Sequence, residues 1–227
     1  MSRWLIAVLL ALAALPVGAG ELPPGAVQYM PLLREEIAAR WPDLPLPSAL
    51  AAQVEQETCI SLTAHGCWNP KTELKTSREY GFGLGQLTVT SRFNAFAEVQ
   101  GMDSGLHGWK WADRYDPRLQ LRALVVKDRV NAAGFRTATP SAEDRLAFAL
   151  AAYNGGIGGT LADIRLCAHT NGCDPQKWFG HVERTSLKSR TKVGGYGQSF
   201  FDINRGYVRN VLVVRRPKYV QPMEGGA

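Results

Sequence analysis

The apolar positions of this chain fall mainly into helical stripes separated by Gly- and Pro-rich connections, and no run of alternating strand positions stands out. That pattern predicts a mainly α protein. A first amphipathic helix is expected over residues 26–41, stopped by Pro42 and followed by a connection with Pro45 and Pro47. A short helix over 48–58 comes next, with Ser48 as its N-cap. Residues 93–99 suit another helix ended by Gly101, before a loop rich in Gly and Trp through Trp111. Asp116 and Pro117 form an N-cap and first-turn pair for a helix to about Ala133, with Gly134 as its stop. Pro140 and Ser141 open a further helix closed by Gly155 and Gly156, a last helix lies within 200–213, and Pro217 onward reads as a tail.

Within the 48–58 stripe one position breaks the apolar pattern. Leu50, Val54 and Glu57 fall at i, i+4 and i+7, so the Glu57 carboxylate shares the oily face while Glu55 points the other way. An ionised carboxylate buried without a partner is costly, so such a group tends to keep its proton near neutral pH and can act as a general acid. The plainer alternative is a solvated or salt-bridged carboxylate at a frayed helix end.

The compartment follows from the first residues and the cysteines. Arg3, the apolar run 4–15, Pro16 and the small triplet Val17-Gly18-Ala19 have the form of a secretory leader, 1–19, cut after Ala19; an uncleaved anchor is the competing reading. No later stretch is apolar enough to span a bilayer, which predicts no stable membrane insertion once the leader is gone. The four cysteines form two close pairs, Cys59 with Cys67 and Cys167 with Cys173. Local disulfides in an oxidising compartment fit them better than a zinc site, although His65 and His169 lie nearby and cross-pairing stays open. No cofactor or metal is expected.

The length of 227 residues suits one domain, arranged as a leader 1–19, an N-terminal helix and Pro-rich connection 20–47, a main domain 48–214 and a tail 215–227. The formal net charge is +6, one less without Arg3, and most of the excess lies late, from Arg184 through Lys188, Arg190, Lys192, Arg205, Arg209, Arg215 and Arg216 to Lys218. Outside the cytoplasm a basic face suits anionic wall polymer or lipid headgroups rather than nucleic acid, and a solvated surface explains it equally well.

Two more features carry chemistry. Leu146, Leu150 and Tyr153 repeat the stripe of Glu57, bringing a phenol onto a buried face just before Asn154-Gly155-Gly156; a core tyrosine bonded to a backbone carbonyl is the plain reading. Gly81, Gly83 and Gly85 alternate with bulky residues before Gln86, which allows close backbone approach to another element or a ligand. A phosphate cradle is disfavoured, since no Lys-Ser or Lys-Thr follows.

In order, these motifs resemble the soluble lytic transglycosylase domain, a helical fold similar to goose-type lysozyme. Glu57-Thr58 is similar to the family's catalytic Glu-Ser, and Ser77 lies nine residues before Gln86 of Gly83-Leu84-Gly85-Gln86, as in the family's Ser and Gly-Leu-Met-Gln. Ala152-Tyr153-Asn154-Gly155-Gly156 resembles Ala-Tyr-Asn-Ala-Gly. Asp116-Pro117 through Leu121 resembles the start of the intervening helix, and residues 205–212, with Tyr207-Val208, resemble the closing Tyr-Val motif. The chain departs from the pattern in its longer Glu57–Ser77 spacing, which holds Cys59 and Cys67, in the long stretch from Leu166 to Phe200, and in Gly85 for Met. Ile203 also stands where a Glu commonly precedes Tyr-Val, unless Glu183 takes that place. Those departures bear on glycan contacts and end preference.

The resemblance implies cleavage of peptidoglycan between N-acetylmuramic acid and N-acetylglucosamine, with Glu57 as acid and then base and a 1,6-anhydro product. It implies that Tyr153 orients Glu57 or the acetamido group, that Ser77, Gln86 and Asn154 bind sugar, and that Tyr207 is a further wall of the cleft. The expected partner is the glycan strand in the periplasm, with a secretion or conjugation apparatus as a possible assembly. A hydrolytic muramidase would need a second carboxylate, for which Glu73 and Glu79 are candidates. A non-catalytic wall-binding subunit is the alternative of another class.

Overall fold

The computed structural model describes residues 20–59, 66–135, 141–194 and 197–225. The expected leader, His65 and Pro140 lie outside the described residues.

The chain is mainly helical. Helix α1 (Pro24–Arg40) starts at a proline, whose fixed φ and missing N–H suit a first turn, and ends before Trp41 and Pro42. Helix α2 (Pro47–Thr58) does the same at Pro47. Its N-cap is Leu46 rather than Ser48. Ser48 instead sits inside the first turn, fully buried, where its backbone N–H and hydroxyl both donate to Glu224 and its oxygen accepts from Arg216 Nε at 2.8 Å. A distant carboxylate thus satisfies the helix N-terminus in place of a local cap.

The stretch around the alternating glycines forms a small antiparallel sheet in the order β1 (Glu73–Lys75), β2 (Tyr80–Phe82), β3 (Leu87–Val89). Leu74 pairs with Gly81, and Gly81 pairs with Thr88. Sequence pattern missed these strands because each is only three residues long, too short to display a period of two.

Helix α3 (Ala95–Gln100) is capped by Asn94, which accepts from Ala97 N–H. Helix α4 (Pro117–Ala133) has the expected Asp116 cap, bonded to the N–H groups of Arg118 and Leu119, and is followed by Gly134. Helix α5 (Ala142–Gly155) is capped by Ser141 through Asp144 N–H. Gly156 follows at φ 81°, and the chain turns at once into α6 (Ile157–Ala168), which the pattern did not foretell. Helix α7 (Phe200–Arg209) runs into a π-helical stretch, Asn210–Arg215, and then α8 (Pro217–Glu224). The expected tail is therefore a packed helix, anchored by fully buried Tyr219.

Helix α5 is the centre, buried continuously from Leu146 to Ala152, with α4, α6 and α7 packed on it. Helix α2 lies against α8, the π-helical stretch and α1, while α1 also packs on α4. Buried Glu36 ties α1 to α4 by accepting from Arg122 Nε at 2.9 Å and Arg118 at 3.2 Å. Cys59–Cys67 and Cys167–Cys173 are disulfides, so each close pair closes its own loop.

Much of the late positive charge turns inward. Arg205 and Lys188 hold buried Asp163 at 2.8 and 3.0 Å, Arg215 and Lys218 face Glu55, and Arg216 binds Ser48. Exposed Arg184, Arg190, Lys192 and Arg209 remain as surface cations. The single basic face expected from the sequence is thus largely an internal set of ion pairs.

Candidate active site

Helix α2 sets the site through its last turn. Glu57 follows Leu50 and Val54, both fully buried, along the expected stripe, and no basic residue stands in that turn to pair with it. Its partner is a phenol: Tyr207, on α7, donates its hydroxyl to Glu57 Oε1 at 2.5 Å. Burial pushes the Glu57 carboxyl up to about 8, and the Tyr207 hydrogen bond pulls the other way without cancelling it. The residue is half-buried, so the acid is enclosed by protein yet keeps an opening. An ordinary solvated helix-end carboxylate would not combine these features.

Tyr153 lies in the same neighbourhood but spends its proton elsewhere. Its hydroxyl donates to Gly85 carbonyl at 2.6 Å, the plain reading of the sequence. Burial, and after it the nearby Glu57 charge, holds that phenol well above its usual range, so it stays a donor. The expected orienting contact to Glu57 is made by Tyr207 instead, because Tyr153's hydrogen is already committed to the glycine loop. A Cβ at Gly85 would stand 2.8 Å from the Tyr153 oxygen, so a side chain there would push the hydroxyl aside.

Gln86 is a brace of that loop. Its backbone adopts φ 43°, and its amide N–H groups donate to Thr72 and Gly83 carbonyls at 3.1 and 3.0 Å. Gly83, at φ 78°, packs against the Gln120 amide of α4, whose Oε1 accepts from Leu84 N–H at 2.9 Å. Thus α4 and Gln86 together hold residues 83–86 under the Tyr153 hydroxyl.

The other expected binders are spread more widely. Ser77 is exposed at the β1–β2 turn, closed by Thr76 N–H donating to Glu79 carbonyl, and no hydrogen bond joins Ser77 to Glu57 or Gln86 among the described residues. Asn154 is exposed, and its Oδ1 accepts from Asn204 Nδ2 at 3.1 Å. Buried Asn204 also donates to Ala151 carbonyl, so it fixes the end of α5 to α7; sequence reasoning missed it. Glu183 accepts from Gly180 N–H in its own loop. Of the candidate second carboxylates, Glu73 is exposed on β1, where hydrogen bonds from Tyr115 and Tyr80 hold its carboxyl below the usual range. Glu79 sits half-buried at the hairpin turn.

No family model matches this chain, and no curated protein matches it in sequence. Two hollows elsewhere, one beside Trp41, Arg129 and Arg145 and another beside Leu22, Arg34 and Lys218, do not include Glu57. What the α2 end offers is a carboxyl that carries a proton at neutral pH and a phenol that stabilises the anion formed when the proton leaves.

Proposed function

We propose that this protein is a lytic transglycosylase that cuts the β-1,4 bond between N-acetylmuramic acid and N-acetylglucosamine in peptidoglycan. The observation that carries the reading is Glu57 itself, a carboxyl held protonated to about pH 8 with Tyr207 bonded to one oxygen. Its position coincides with the acid of the family that the motifs resemble.

In this scheme the other Glu57 oxygen gives its proton to the glycosidic oxygen as positive charge grows at the anomeric carbon. The resulting carboxylate is stabilised by the Tyr207 hydroxyl. Glu57 then takes the proton from the muramic C6 hydroxyl, whose oxygen closes onto the anomeric carbon as a 1,6-anhydro ring. No water is consumed, and one carboxyl serves both steps. The reading places the protein in the periplasm, with glycan strands as its substrate and wall remodelling around a secretion or conjugation apparatus as its setting.

Digestion of purified sacculi with the leaderless protein tests this, with the soluble fragments weighed by mass spectrometry. Anhydro ends, lighter than reducing ends by one water, are expected, and Glu57→Gln should lower their release by about 10²–10⁴-fold. Reducing ends would indicate a hydrolytic muramidase, and binding without soluble fragments a wall-binding subunit; either result rejects the proposal.

A further inference from the structure

Beneath Glu57 lies a polar pair that the reaction as written does not use. Gln53 stands one turn before Glu57 on α2, on the same face of the helix. Asp128 comes from α4, one turn after Leu124, whose side chain lies 3.4 Å from the place a Gly85 Cβ would occupy, beside the Tyr153 hydroxyl. Both Gln53 and Asp128 are 0% exposed. Among the described residues, neither carboxyl oxygen of Asp128 and neither amide atom of Gln53 makes a hydrogen bond of full geometry. The two groups are nevertheless near enough for the amide to act on the carboxyl.

Four buried polar atoms left unpaired would be costly, and their chemistry suggests how they are satisfied. Against a carboxylate, the Gln53 amide hydrogen has an acceptor, but its carbonyl oxygen faces an anion with nothing to donate. Against a carboxylic acid both halves match: the acid O–H donates to Gln53 Oε1, and Nε2–H donates to the other acid oxygen.

We infer that Asp128 is an uncharged acid closed on the Gln53 carboxamide through two reciprocal hydrogen bonds, and that this pair is a positioning device for Glu57. It fixes the helical turn that carries the acid, and it keeps a second negative charge out of the neighbourhood while Glu57 is briefly ionised. The inference rests on the reading of Glu57 as the acid.

The surroundings agree. The titratable groups facing the pair are Glu57 from α2, Tyr153 from α5 and Tyr207 from α7, with Lys127 beside it on α4. Lys127 is engaged by Glu98 of α3 at 2.6 Å. Burial holds the Asp128 carboxyl well above the usual carboxylate range; Gln53 and Lys127 oppose that, and Glu57 adds to it.

The test compares Asp128→Leu, which removes the pair, with Asp128→Asn, which keeps two hydrogen bonds to Gln53 and can never ionise. On soluble uncrosslinked glycan strands, Asp128→Leu should lower kcat by about tenfold with KM within about twofold. Asp128→Asn should restore kcat to within about threefold of wild type and leave the basic limb of the pH profile in place, since the charge it forbids is not there in the wild type. A basic limb displaced downward by about one unit or more in Asp128→Asn would overturn the inference, because removal of a real neighbouring anion does that. So would an Asp128→Leu protein of undiminished kcat. Should Asp128→Leu fail to fold, infrared difference spectroscopy at pH 7 decides: wild type minus Asp128→Asn should contain a protonated-carboxyl band, and its absence rejects the pair. If Glu57→Gln keeps full activity, the functional reading has failed; if Glu57→Gln is inactive and only these results fail, Asp128 alone is misassigned.

Discussion

Glu55 and Glu57 are two residues apart on the same short helix, and their surroundings could hardly differ more. Glu55 is fully buried against the C-terminal segments, where Lys218 Nζ stands 2.8 Å and Arg215 Nε 3.8 Å from its carboxylate, and the Tyr219 hydroxyl donates to it as well. Glu57, on the other face, has a phenol and, among the described residues, no cation as its partner, and it keeps its proton to about pH 8. Burial alone therefore does not keep a carboxyl protonated; burial without a counter-charge does. One carboxylate fastens α8 to α2, and the other is left with a proton to give.

The sharpest way to break the comparison is to remove each carboxylate and measure stability by denaturant unfolding. Glu55→Ala should cost about 3–5 kcal/mol, because Lys218 and Arg215 are then buried without a partner. A loss under about 1 kcal/mol would mean that the pairs are effectively solvated. Glu57→Gln should go the other way. The folded-state carboxyl titrates near 8 rather than 4.5, so between those pH values the folded chain binds more protons than the unfolded one, and the wild type loses stability as pH rises. Glutamine escapes that loss. The variant should gain on the order of 2 kcal/mol over wild type at pH 8, a figure discounted for the half-open position of the side chain, and the gap should close toward pH 4.5. A pH-independent difference would contradict the account.

A smaller effect sharpens the role of the phenol. Tyr207→Phe removes the hydrogen bond that holds the Glu57 carboxyl down, so the basic limb of the activity profile should move up by about half to one unit. Turnover should fall about tenfold, as the Glu57 anion loses its donor. A basic limb that stays in place would mean that Tyr207 is a wall of the site only.

How much of this was legible in the sequence depended on how local the cause was. The cap at Asp116, the helix start at Ser141 and the stop at Gly134 were readable because a side chain and the backbone two or three residues away settle them. Helix α8 was not, since Pro217 is as good a first-turn residue as it is a breaker, and only the burial of Tyr219 under α2 decides between them. Helix α6 was hidden by Gly158 and Gly159, which weaken its propensity. The stripe that singled out Glu57 had an equivalent on α4, where Leu121, Val125, Asp128 and Ala132 are all buried; the same arithmetic could have found Asp128. Glu55 was placed on the outward face because the cations that bury it lie in segments taken for a helix end and a tail. Tyr207 entered through motif resemblance, its hydrogen bond being 150 residues away in sequence.

The central claim is that Glu57 is uncharged at neutral pH, and a carbon-13 NMR titration of its side-chain carboxyl, assigned by comparison with Glu57→Gln, tests it most directly. The account predicts a midpoint near 8. A midpoint below about 5, the range of an ordinary glutamate, would contradict it.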